Sequence, residues 1–217
     1  MQIPVDKIFF INLDRSHARL KALQDHLQEV PIRDKNGCEP IRFPALNGNQ
    51  ISHSIISKSE SGKYGLPLSM GEKGCHASHR ALLQMQIENN WEYVMYLEDD
   101  VRIQNNKIQE LIKNWDQLPE FDFFNLSWKN FKHPFGQQVQ PIEFPIPNLY
   151  SGNGMWLTHC YILSLYGAKK CEEHSRMQSH SIDWHYAGIQ SWIKTIGFKY
   201  GTIAIQERKM RSTIIHT

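Results

Sequence analysis

No apolar run in the 217 residues approaches the ~20 needed to span a bilayer as a helix. The N-terminus, MQIPVDKIFFINLDR, sets Asp6 and Lys7 beside a very short apolar run, so it is not expected to act as a secretory leader. Cysteine is scarce: Cys38, Cys75, Cys160 and Cys171 form no Cys-x-x-Cys pair, which excludes a disulfide scaffold and predicts free thiols in a reducing compartment. A net charge of +2 is too small to point to a nucleic-acid partner. Repeats and low-complexity tracts are absent, so no solenoid is expected. A Gly-rich phosphate loop is absent as well, which argues against phosphoryl transfer. The expected compartment is the cytoplasm. One departure from the even mixing of charges is the C-terminal end, where Lys194, Lys199, Arg208, Lys209 and Arg211 face only Glu207. It reads either as a solvated face or as a contact for anionic headgroups or diphosphates.

What the chain does have is a length suited to one domain, 1–217, and many aromatic side chains: six Trp, eight Tyr and ten Phe. These serve a core and also offer flat faces on which bases and sugars stack. Residues 7–12 read as a buried strand. Ser16 opens a helix with Leu20, Leu23, Leu27 and Val30 on one face, ended by Pro31. Residues 41–46 suggest a second strand, and 47–69 a long loop of the kind that is usually functional. Ser69 and Glu72 form a capping box ahead of a helix over 71–89. Strands are predicted at 93–97, 121–127, 155–163 and 198–206. Helices are predicted near 106–115, after Ser164, and from about Asp183. Four prolines make 131–150 read as irregular. Strands alternating with helices predict an α/β fold with a mostly parallel sheet.

YVMYL at 93–97 runs directly into Glu98, Asp99 and Asp100. Carboxylates at the C-terminal end of a buried strand stand where α/β proteins place ligands. Three adjacent acids repel one another unless a cation or a basic partner neutralises them. Oxygen donors of this kind suit Mg²⁺ or Mn²⁺, which can bridge the phosphates of a nucleotide sugar. A solvated acidic turn is the alternative.

Four segments in order widen the reading: FFINLDRSHARL at 9–20, GEKGCHASHRALLQ at 71–84, YVMYLEDDV at 93–101 and THCYILSLYGAKK at 158–170. Together they resemble glycosyltransferase family 25, the lipooligosaccharide galactosyltransferase family, over nearly the whole chain. Gly-Glu-x-Gly-Cys-x-x-Ser-His at 71–79 is the most specific piece. The resemblance implies a GT-A type nucleotide-binding sandwich with a metal (Mn²⁺ or Mg²⁺) at the acidic turn. It also implies inverting transfer of a hexose, usually galactose from UDP-galactose, to a growing lipooligosaccharide or lipopolysaccharide. Peripheral contact with the cytoplasmic face of the inner membrane fits that pathway. Cys160 stands where the family commonly has alanine, and 131–153 resembles nothing assignable.

On this reading Glu98 and Asp100 are the candidate metal ligands, and Asp99 lies with them beside the donor. Asn12, Leu13, Asp14 and Arg15 follow the first strand and can meet the nucleotide. Arg15 either pairs with a phosphate or uracil or makes a surface ion pair. Asn47 and Gly48 either line the base and ribose pocket or form an ordinary turn. Cys75, His76 and His79 have the spacing of soft metal ligands, but no second cluster completes a four-ligand site. His79 is instead expected at a donor phosphate or holding the acidic turn, with a buried structural histidine as the alternative. Asp183 is the candidate general base, against a helix N-cap role. Trp184 either stacks on a sugar or fills the core. His216 is a weak candidate for the metal shell. A scaffold relative without turnover, and a glycosidase independent of nucleotide, are the competing classes.

Overall fold

The computed structural model describes residues 1–51, 68–129, 138–176 and 180–207. His216, the basic residues Arg208, Lys209 and Arg211, most of the 47–69 loop and part of the 131–150 stretch lie outside them. The described strands are β1 (Lys7–Asn12), β2 (Ile41–Pro44), β3 (Tyr93–Glu98), β4 (Val101–Ile103), β5 (Phe123–Trp128), β6 (Gln138–Pro141), β7 (Leu149–Asn153), β8 (Cys160–Ser164), β9 (Thr195–Lys199) and β10 (Ala204–Gln206). The helices are α1 (His17–Glu29), α2 (Met70–Glu88), α3 (Asn105–Lys113), α4 (Leu165–His174) and α5 (Ile182–Ile189).

Eight strands form one sheet in the order β2-β1-β3-β8-β5-β9-β7-β6. Its β1–β2, β1–β3 and β5–β9 pairs are parallel, and every pair made by β7 or β8 is antiparallel. Only β7 and β8 therefore run against the other six, which gives the mostly one-way sheet expected. Side chains alternate between two cores. Ile8, Phe10, Met95 and Leu97 pack with Leu23 of α1 and Ile108 and Leu111 of α3. Phe9, Ile11, Val94 and Tyr96 pack with Leu82 and Leu83 of α2, Ala168 of α4 and Tyr186 of α5. Helices on both faces explain why β1 and β3 read as unbroken apolar runs. Each fully buried Leu, Ile or Phe contributes roughly 1.5–3 kcal/mol of burial.

Local signals hold at several ends. Ser69 Oγ accepts from the Glu72 N–H while Glu72 accepts from the Ser69 N–H at 2.8 Å. Ser164 Oγ accepts from Gly167 N–H at 3.0 Å. Two expectations change. The 131–150 stretch is not wholly irregular: β6 and the start of β7 lie in it, at the sheet edge, where Pro141 ends a strand without interrupting a central ladder. Residues 198–206 are not one strand either. The chain turns at Gly201, with φ of 86°, and β10 leaves the main sheet to pair antiparallel with β4. That detour carries Gln206 to the acidic turn. Among the described residues no helix is long and apolar enough to cross a membrane, and the four cysteines are free.

The α2–α4–α5 layer holds histidines in their neutral form. Burial pulls His185 down to about 3, helped by His76, His174 and His180. Burial also takes His76 to about 4, against two carbonyl oxygens, Ser175 O and His180 O, that favour the charged ring. A folded value below the unfolded one gives stability that is complete above about 6.5 and lost as pH falls toward the folded value. Each such group has a limiting slope of about 1.4 kcal/mol per pH unit. Thermal unfolding temperature should therefore fall between pH about 6.5 and 4, and His185→Gln should flatten that fall if the variant folds.

Candidate functional site

The strand ends of β1 and β3, the loop after β2 and the first turns of α2 enclose one cavity of about 130 Å³. Parallel pairing fixes its floor, because Ile11 sits opposite Glu98 and so brings Asn12 level with Asp99. The loop after β2 is pressed onto α2 by two glycines. A Cβ on Gly48 would strike the Met70 carbonyl, and one on Gly74 would strike the carbonyl of Leu46. Ser78 ties the same contact, accepting from Leu46 N–H at 2.8 Å and donating to Gly74 O at 2.7 Å. Gly48→Ala should thus cost about 1–3 kcal/mol as overpacking, read as a lower unfolding temperature.

Asn12, Leu13, Arg15, Asn47, Gly48, His79, Glu98, Asp99 and Asp100 all line this cavity. Two of the sequence candidates do not. Asp14 is exposed and paired with Arg42 at 2.7 Å. Asp183, at the start of α5, lies outside the cavity wall but within the field of Glu98 and Cys75. Its carboxylate accepts from Ser181 Oγ at 2.5 Å and from the Trp184 N–H at 3.0 Å. The N-cap of α5 is Ser181, not Asp183. Burial raises Asp183 above the usual carboxylate range, opposed by those two donors and assisted by Glu98. Trp184 packs edge-on to Trp156 at 5.7 Å and stacks on His180 at 4.8 Å.

The acidic turn has a basic partner absent from the sequence reading. Arg19 Nη2 stands 2.7 Å from Asp99 Oδ1 and 2.5 Å from Asp100 Oδ2. Arg19 lies in the first turn of α1, the helix that follows β1. In a parallel sheet that turn adjoins the end of the neighbouring β3, a placement that only the strand order reveals. Asn12 Nδ2 donates to Asp99 Oδ2 at 2.7 Å, and Gln206 Nε2 to Asp100 Oδ2 at 3.1 Å. Asp100 Oδ1 is buried without a hydrogen-bond partner.

The three acids titrate differently. Burial would raise Glu98, but His79 and Thr158, whose Oγ1 donates to Oε1 at 2.7 Å, hold it down at about 2. Burial raises Asp99, moderated by Arg19 and Asn12. Burial, then Glu98 and Asp99, push Asp100 up to about 7 against the pull of Arg19 and Gln206. An oxygen-only set with one unpartnered carboxylate oxygen and an acid carrying excess negative field fits a hard divalent cation.

A family model described as Glycosyltransferase family 25 (LPS biosynthesis protein) matches residues 5–185. The chain is 30% identical to Procollagen galactosyltransferase 2 of Homo sapiens over 172 residues, 76% of the chain and 27% of that protein. It is 27% identical to a Glycosyltransferase 25 family member of Drosophila melanogaster over 182 residues, 78% of the chain and 28% of that protein. The chain thus spans a little over a quarter of the length of these relatives. Among solved structures, A197 from STIV is similar with a TM-score of 0.47 and 14% identity, covering 97% of this chain and 98% of that one.

Proposed function

The chain belongs to glycosyltransferase family 25, and on that premise we propose that it is a hexosyltransferase moving galactose from UDP-galactose to a saccharide acceptor with inversion. The observation that carries this reading is the convergence of nine sequence-named residues, from four separate segments, on one cavity at the strand ends. In this reading residues 1–217 form one transferase domain. Asn12, Leu13, Arg15, Asn47 and Gly48 receive the nucleotide, with the backbone of the loop after β2 close against it. Arg15, exposed at the rim, offers its guanidinium to the diphosphate.

Glu98 and Asp100 would hold Mn²⁺ or Mg²⁺, supplying neutralisation of the diphosphate charge that builds as the sugar leaves. Arg19 keeps Asp99 and Asp100 side by side and limits their repulsion. Asp183, already raised by burial, takes the proton of the acceptor hydroxyl. Trp184 beside it provides a face for the acceptor sugar.

The family description favours a lipooligosaccharide or lipopolysaccharide sugar as acceptor, which would place the protein at the cytoplasmic face of a membrane. The names of the animal relatives favour a second reading, a procollagen-type acceptor. The deciding experiment is UDP release by the purified protein from UDP-galactose, UDP-glucose and UDP-N-acetylglucosamine. It is run with a truncated lipooligosaccharide or a procollagen peptide, in Mn²⁺ or EDTA. Release from UDP-galactose with the saccharide, lost in EDTA, is the expected result. Release only with the peptide moves the acceptor to the second reading, and the absence of release under all conditions sinks the transferase reading.

A further inference from the structure

One group of donors in the cavity has a chemistry that the oxygen-only acidic turn does not. Cys75 and His79 stand four residues apart on α2, hence on one face of the helix. Glu98 reaches them from the end of β3. A sulfur, an imidazole nitrogen and a carboxylate oxygen of these three lie within 4.8 Å of one another, and all three residues line the cavity. His76, their neighbour in sequence, is turned away onto the carbonyls of Ser175 and His180. The ligand that sequence spacing lacks is thus provided by a residue 19 positions beyond His79 (98 − 79).

His79 is fully buried, yet its Nε2 has no hydrogen-bond partner. That nitrogen lies 3.4 Å from Glu98 Oε1. Two donors about 2.0–2.1 Å from one tetrahedral ion stand roughly 3.4 Å apart, so this spacing already suits a shared cation. The opposite nitrogen, Nδ1, is 2.7 Å from the Tyr161 hydroxyl. With a cation bound between Nε2 and Glu98, Nδ1 keeps its proton and donates it to that hydroxyl, which fixes the tautomer that ligates through Nε2. Tyr161 is itself stacked on Tyr96 at 4.9 Å and on Phe123 at 5.4 Å, so the ring is held by rigid neighbours.

We propose that Cys75 Sγ, His79 Nε2 and a Glu98 carboxylate oxygen form a binding site for a borderline-soft divalent cation of the zinc class. Three protein ligands with sulfur among them favour such an ion over Mg²⁺. The fourth position opens into the cavity. Binding displaces the thiol proton to solvent, and thiolate plus carboxylate balance the two charges of the ion. The site shares Glu98 with the acidic turn and adds Cys75 and His79 to it, and its occupancy does not depend on whether the protein transfers a sugar.

The test is a titration of the intact, metal-free protein with Co²⁺, followed by competition with Zn²⁺. A tetrahedral thiolate site gives an intense ultraviolet sulfur-to-cobalt band together with visible bands, at one equivalent, bleached by Zn²⁺. The band should persist in Cys38→Ser, which removes the exposed thiol, and in Asp100→Asn. It should vanish in Cys75→Ser, and Tyr161→Phe should weaken binding by about 10–100-fold. As a readout that needs no variant, one equivalent of Zn²⁺ should slow alkylation of Cys75 in the wild-type chain. Absence of the band, its survival in Cys75→Ser, or unchanged Cys75 alkylation with Zn²⁺ overturns the site.

Discussion

Asp183→Asn should lower sugar transfer by about 10²–10⁴-fold, the range lost with a general base, while UDP affinity stays at the wild-type value. The amide keeps the shape of the carboxylate and can still accept from Ser181 and Trp184, so α5 should begin as it does now. What it cannot do is take a proton from an acceptor hydroxyl. Asp183 also lies outside the cavity wall that holds the nucleotide-facing residues, which is why binding of UDP should not register the change. Single-turnover transfer and calorimetric UDP binding on the same preparation check both halves. Wild-type transfer would remove Asp183 as the base, and a parallel loss of UDP binding would return it to a structural role.

Asp100→Asn should abolish metal-dependent turnover, by ~10²-fold or more, since stabilisation of the leaving charge is commonly the largest contribution to such reactions. It should do so without a loss of stability. Asp100 is raised in the folded chain to about 7, so the stability tied to it is complete below the unfolded value near 3.8. That contribution is lost as pH rises through about 7. A neutral amide avoids this loss, and at pH 8 in EDTA the variant should unfold at the wild-type temperature or above it. Such a gain from disarming a site is the usual sign that function holds strain there. Transfer rates in Mn²⁺ and thermal unfolding in EDTA test the two statements separately. Full activity would overturn the metal assignment, and a markedly lower unfolding temperature would show that the carboxylate holds the turn together.

Much of the fold was legible because its signals are local. Ile8–Ile11 and Val94–Leu97 are apolar on both faces, which marks a strand covered by helices on each side. Ser69 with Glu72, and Ser164 ahead of Gly167, mark helix starts through hydrogen bonds made within four residues. The strands missed were β4, β6 and β7, together with the break between β9 and β10. They are short or lie at an edge, and apart from the β6–β7 pair their partners are remote in sequence, so periodicity carries no trace of them.

The candidate site divides along the same line. Sequence by itself determined the family, the cluster of acids at the end of a buried strand, and nine of the residues that line the cavity, because each belongs to a contiguous motif. Only the tertiary structure decided what those residues meet. Arg19 reaches Asp99 and Asp100 through the parallel pairing of β1 with β3, and Gln206 arrives through a strand that leaves the main sheet. Glu98 completes a set with Cys75 and His79, and Asp14 turns outward to Arg42. Spacing along a chain fixes which side chains share a helix face or a strand end. It does not fix which strand lies beside which, and the charges that neutralise or ligate one another in this site are brought together by that order.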